Sequence, residues 1–99
     1  MTQGNRLFNI TDGPGDKALR AVLGSERGIE ISFFESGSWT KFKVRAQIHS
    51  LEDESRGAGD CWKFTATVVM PYGNEVNQRK DIQGYYSSNY RIGQFTFAF

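Results

Sequence analysis

The run Phe42-Lys43-Val44-Arg45-Ala46-Gln47-Ile48-His49 decides the fold. Phe42, Val44, Ala46 and Ile48 fall on one side of an extended chain, and Lys41, Lys43, Arg45, Gln47 and His49 on the other. A period of two is the mark of a strand with one face in a core and one in water. Upstream, Ile29, Ile31 and Phe33 alternate with Glu30, Ser32 and Phe34, and Glu35-Ser36-Gly37-Ser38 links the runs. Downstream, Leu51 to Asp60 reads as a polar loop. Trp62, Phe64, Ala66, Val68 and Met70 then alternate as far as Pro71, which has no N–H to give a ladder. Tyr72 to Asp81 reads as a long polar connection. Ile82–Tyr86 and Tyr90–Phe99 read as a last hairpin around Ser87-Ser88-Asn89, and the aromatic alternation Phe95-Thr96-Phe97-Ala98-Phe99 predicts a well-covered strand.

Before this region, residues 1–13 are polar except for Leu7-Phe8-Asn9-Ile10, an arm or an extra edge strand. Asp12-Gly13-Pro14-Gly15 is a turn signal, since Pro fixes φ and Gly permits positive φ. A helix over 14–24 follows, with Asp16 as N-cap, an apolar stripe of Ala18, Leu19, Val22 and Leu23, and Gly24 as its stop. The expectation is a single α+β domain over 1–99. Residues 28–99 form a mainly antiparallel curved sheet of about five strands, a meander or a partly open barrel, with the N-terminal helix packed on its concave face.

Faces also constrain register, because a slip of one residue turns the apolar set to water. A four-residue loop at Glu35–Ser38 sets Phe34 by Trp39, Ile31 by Phe42, Ile29 by Val44 and Glu30 opposite Lys43. In the next hairpin, one register sets Ile48 by Trp62, Ala46 by Phe64 and His49 opposite Cys61. The neighbouring register sets His49 by Lys63.

Composition narrows the function classes. Eight Phe, four Tyr and two Trp supply a core. Twelve basic residues against eleven acidic ones leave a net charge of +1, without the basic excess of a general nucleic-acid binder. The lone Cys61 excludes an internal disulfide and suits a reducing, cytoplasmic location. The start of the chain has no apolar h-region, and no apolar run reaches the ~20 residues of a membrane span.

Four groups stand out as candidate sites. The basic stripe Lys41, Lys43, Arg45 and Lys63, beside Phe34 and Trp39, suits single-stranded nucleic acid; its ordinary alternative is a solvated sheet face. His49 and Cys61, if opposed, make a thiolate–imidazolium pair, but no orienting group or oxyanion hole announces itself, and most strand cysteines are inert. The acids Glu52, Asp53, Glu54 and Asp60 offer oxygen ligands without EF-hand spacing, and one His with one Cys does not make a zinc site, so no metal and no cofactor are expected. Trp39, Tyr72, Tyr85, Tyr86, Tyr90 and Arg91 have the chemistry of a recognition surface, with one of Tyr85 and Tyr86 consigned to the core by alternation. Gly84 and Gly93 are expected to face each other at a bend. The leading reading is a non-catalytic binding module for a small apolar ligand or a protein partner. Single-stranded nucleic-acid binding and a small enzyme using His49 are the alternatives. Exposed sheet edges near Phe95–Phe99 further predict a homodimer.

Overall fold

The computed structural model describes residues 6–54 and 61–97. Among them six strands follow in order: β1 (Phe8–Thr11), β2 (Ile29–Glu35), β3 (Phe42–Asp53), β4 (Trp62–Val69), β5 (Arg79–Ser87) and β6 (Ile92–Phe97). Each pairs antiparallel with the next. β6 also pairs with β1, Phe8 facing Phe95 and Ile10 facing Gly93, so the sheet closes into a barrel. The expected arm is therefore a structural strand, and it turns a five-stranded open sheet into a six-stranded closed one. With one short helix, α1 (Asp16–Ala21), the protein is mainly β rather than α+β.

The alternation seen in the sequence is the alternation of the barrel wall. Phe33, Val44, Ala46, Ile48, Trp62, Phe64, Ala66, Val68 and Ile82 are all buried. A barrel this small has only enough interior for its own side chains. Phe8 is wholly buried, stacked on Phe95 at 5.0 Å and edge-on to Phe33 at 5.5 Å. Aromatic contacts of this geometry contribute about 0.5–1.5 kcal/mol beyond their buried area.

α1 does not lie on a concave sheet face. It sits over one end of the barrel, where Leu19 is its one buried side chain and Val22 packs partly against the core. Ala18 and Leu23 point to water, so the predicted four-residue stripe is half as wide as expected. Gly15, not Asp16, is the N-cap, and no side chain caps the helix; Asp16 instead accepts from Arg20 at 2.9 Å one turn on. A helix this short is held by its contacts. Arg20 lies over the Trp62 ring at 4.5 Å, and Gly24, at φ +77, donates to the Ile48 carbonyl at 2.9 Å.

The opposite end is closed by a cation. Arg6 lies over the rings of Phe8 at 5.2 Å and Phe97 at 5.5 Å. Its guanidinium bonds Glu35 at 3.1 Å and also bonds Glu75, while Tyr72 donates to Glu35 at 3.1 Å and stacks on Phe42 at 4.2 Å.

Both predicted hairpin registers move while the faces hold. Ile31 faces Val44 and Ile29 faces Ala46, a displacement of two residues, so Glu30 meets Arg45 and not Lys43. Ala46 faces Val68 and Ile48 faces Ala66, and then His49 drops out of the ladder in a bulge. Beyond it the pairing resumes with Ser50 opposite Thr65 and Leu51 opposite Phe64. β3 therefore runs to Asp53, through the first part of the expected loop. β5 likewise starts at Arg79 rather than Ile82, and β6 starts at Ile92, leaving Tyr90 in the turn. Gly84 faces Phe95 and Gly93 faces Tyr86, so the glycines do not meet.

Candidate functional site

Because consecutive strands are neighbours in a closed ring, the β2–β3 hairpin and the β5–β6 hairpin lie on opposite sides of the barrel. Their outward residues differ in kind. Arg79 and Asp81 project from the start of β5, but where β5 pairs with β6 its outward residues are Gln83, Tyr85 and Ser87; those of β6 are Ile92, Gln94 and Thr96, and those on and just before β1 are Leu7, Asn9 and Thr11. None of these last nine is charged. Tyr85 and Ile92 are about half exposed, at 51% and 54%. Tyr85 faces Gln94, which faces Asn9, and Gln94 donates to the Asn9 side chain at 3.1 Å while Asn9 donates to Ser36 at 3.0 Å. Leu7, Lys63, Gln83, Tyr85, Gln94 and Thr96 border a shallow depression of about 340 Å³. Gly84 also lines it, where the strands run so close that a Cβ would overlap the Gln94 carbonyl.

The β2–β3 side is basic. Lys43 and Arg45 project from β3 as the alternation required, Lys41 lies just before it, and Trp39, fully exposed, shares a concavity with Phe34 and Lys41 at the hairpin tip. Lys63 does not belong to this stripe; it lies on β4 opposite Tyr85 and Glu52. Its place is taken by Arg27 and Arg79, which line a cleft with Arg45, Gln47, Thr67 and Glu26. The sequence concealed them because Arg27 is in a turn and Arg79 belonged to an expected loop. Among the described residues this side forms one ion pair, a loose one between Lys41 and Asp12 at 3.9 Å.

The remaining candidates separate. Tyr86 is buried, its hydroxyl donating to the Pro14 carbonyl at 2.7 Å, and burial pushes its phenol well above the ordinary value. Tyr72 belongs to the barrel end with Arg6, where burial first and then Glu35 raise its phenol. The Arg6 bond holds the Glu35 carboxyl below its usual range. Tyr90 is exposed at the β5–β6 turn, and Arg91 holds φ +59 there, its carbonyl accepting from Gly13 at 3.0 Å. Trp39 and Tyr90 thus occupy turns at opposite ends of the barrel, because successive turns alternate ends.

His49 and Cys61 do not oppose each other. The bulge puts His49 Nε2 at 2.6 Å from the Thr67 hydroxyl, which donates to Asp81 at 2.8 Å, whereas the Cys61 carbonyl accepts from Glu54. His49 is exposed. Glu52 faces Lys63 in the ladder, and Asp60 lies outside the described residues. Among the described residues no three His, Cys, Asp or Glu side chains cluster to hold a metal, and no helix is long and apolar enough to cross a membrane.

Inside the barrel, beneath α1, an apolar cavity of about 20 Å³ is lined by Pro14, Leu19, Ile31, Ile48, Phe64 and Tyr86 among others. That is room for about one water molecule. The fold and these surfaces define a small closed antiparallel β-barrel with a filled interior and two unlike sides. Comparison with protein-family models, with curated proteins and with solved structures finds no match for the chain.

Proposed function

We propose that the protein is a non-catalytic binding module that meets a protein partner on the outer face of β5, β6 and β1. The observation that carries this reading is the absence of charge from nine outward positions on the adjoining parts of β5, β6 and β1, in a chain with 23% charged residues. Solvated sheet faces keep their Lys and Glu, whereas interface centres are depleted of charge and enriched in Tyr. Tyr85 supplies a rigid amphipathic anchor, Leu7 and Ile92 supply apolar area, and the amides supply directional bonds. The filled interior favours this outer face over a small apolar ligand held within the barrel, since ligand pockets measure about 300–1,000 Å³. The exposed position of His49 gives catalysis no enclosed place for a reacting group. A reducing, cytoplasmic setting remains part of this reading, for the reason given by the lone Cys61.

A photo-crosslinking amino acid at position 85, introduced in the native host, should give one discrete adduct. The same probe at Glu30, also exposed, should give none. Equal, diffuse adducts from both positions, or none from either, would end the proposal.

A second reading is favoured by the pairing of Trp39 and Phe34 with Lys41 on the basic side. Base stacking on Trp39 and phosphate contacts along Lys41, Lys43 and Arg45 would bind a single strand of nucleic acid. Binding of labelled oligonucleotides should then weaken steeply with salt and be lost in Trp39→Ala. No binding at low salt removes this reading.

A further inference from the structure

We infer that the partner on the uncharged face is a second copy of this chain, packed face to face about a two-fold axis that passes near Gln94. This rests on the reading of that face as a protein interface, and names its occupant. An isologous contact sets one patch against itself, so the patch must be complementary to its own copy. A charged face fails that requirement, because each cation meets the same cation. The part of the face where β5, β6 and β1 adjoin meets it, with Lys63 of β4 and Arg79 and Asp81 of early β5 at its margin: the Gln83, Gln94 and Asn9 amides and the Tyr85 and Thr96 hydroxyls each carry both a donor and an acceptor.

Two features of the fold remove the rival ways of pairing. Among the described residues β6 closes on β1 and every strand has a neighbour on both sides, so an edge-to-edge dimer has no edge strand to use, and a face is what remains. The opposite side carries Lys41, Lys43 and Arg45, which would repel their copies. Gln94 is on β6, the middle strand of the face, flanked in the ladder by Asn9 and Tyr85. An axis at the centre of the patch brings Gln94 beside its own copy.

The patch also sets the strength. Three strands spaced ~4.8 Å apart and about six residues long cover roughly 15 × 20 Å. That is well below the roughly 800 Å² per partner of a standard interface, so the dimer is a weak one.

The test is sedimentation velocity from about 10 μM to about 1 mM, a range that brackets dissociation constants of roughly tens to hundreds of micromolar. The wild-type chain should pass from monomer to dimer. Gln94→Lys and Gln94→Glu should each stay monomeric with unchanged thermal melts, because Gln94 is exposed. An equimolar mixture of the two should associate again. A wild-type chain monomeric throughout overturns the inference, as does a dimer that neither substitution weakens. If the chain is monomeric but the crosslinker at position 85 captures a different protein, the interface stands and the self-pairing falls. If nothing is captured, both fall. A monomer whose Tyr85 and Gln94 amide signals shift with maltohexaose also overturns the inference and makes the occupant a saccharide.

Discussion

The Tyr86 hydroxyl donates to the Pro14 carbonyl oxygen at 2.7 Å and so ties β5 to the segment that leads into α1. The bond spans the barrel mouth, because Tyr86 rises from the wall and Pro14 lies with Leu19 above the apolar interior. Removing only the hydroxyl, in Tyr86→Phe, leaves the ring in the core and the Pro14 carbonyl without its donor. The expected cost is about 1 kcal/mol. In a chain of this size that lowers Tm by about 4–8 °C, read by calorimetry. Gly13→Ala should cost more, since its Cβ would overlap both the hydroxyl and the ring of Tyr86. Melts unchanged in both variants would mean that the α1 segment is not seated on the barrel as described.

At the other end, Glu35 makes stability depend on acid. Its carboxyl is held below the ordinary value of 4.5, first by the Arg6 bond and then, against some desolvation, by Tyr72. A lowered folded pKa means that the unfolded chain takes up the proton first. The stabilisation is therefore complete above the unfolded value and lost as pH falls through the folded one. Glu35→Gln should be less stable than wild type at pH 7, with the difference shrinking below pH 4.5. Denaturant titrations at a series of pH values check the sign; a difference that grows in acid would refute it. Tyr72 and Tyr86 work in the reverse sense. Both phenols are raised mainly by burial, so the stability they contribute is present below the unfolded value and declines in alkali.

What the sequence disclosed, and what it hid, follows from range. Alternation is local, so the inward sets of β2, β3 and β4 and the split of Tyr85 from Tyr86 were legible from neighbours alone. Closure was hidden because β1 spans only Phe8–Thr11, too short a run for periodicity to register, and its partners lie far along the chain. The expected registers rest on short loops, whereas the β2–β3 connection takes in Trp39, Thr40 and Lys41 as well. The bulge did leave a trace. Ile48 and Leu51 are both core-facing yet three apart, and a period of two permits that only if one residue is extra. Reading that spacing would have separated His49 from Cys61 at once. The Arg6 cluster left none, since nothing local tells that a cation near the start will meet Glu35 and Glu75.

The tryptophans should report opposite environments. Trp39 is fully exposed, whereas Trp62 is 3% exposed and its indole N–H donates to Ser88 at 2.9 Å. Iodide should quench the Trp39 emission and spare that of Trp62, so Trp39→Ser should remove the quenchable, red-shifted component. Stability should change by no more than about 0.5 kcal/mol, as for surface sites generally. Trp62→Phe should instead cost about 1–3 kcal/mol, through a lost hydrogen bond and an imperfectly filled site. Equal quenching of both variants would place Trp39 against other groups in solution.

Gly84 offers the sharpest test of closure. It faces Phe95 across β5–β6, and a Cβ there would overlap the Gln94 carbonyl and approach the Phe95 Cα at 2.7 Å. The obstacles are backbone atoms, which cannot rotate aside as a side-chain tip can. Gly84→Ala must push the two strands apart, and Phe95 carries the stack on Phe8 that joins β6 to β1. Losing that register should cost more than about 3 kcal/mol, in the range of severe core lesions. Gly37→Ala is the control. It places its methyl in open space and strains only a backbone at φ +88, for about 1–2 kcal/mol. Amide dispersion in a two-dimensional NMR spectrum separates the outcomes: Gly37→Ala should keep the folded pattern and Gly84→Ala should lose it. If Gly84→Ala melts within about 1 kcal/mol of wild type, β5 and β6 do not approach as closely as described. The uncharged face built across them would then have a different shape.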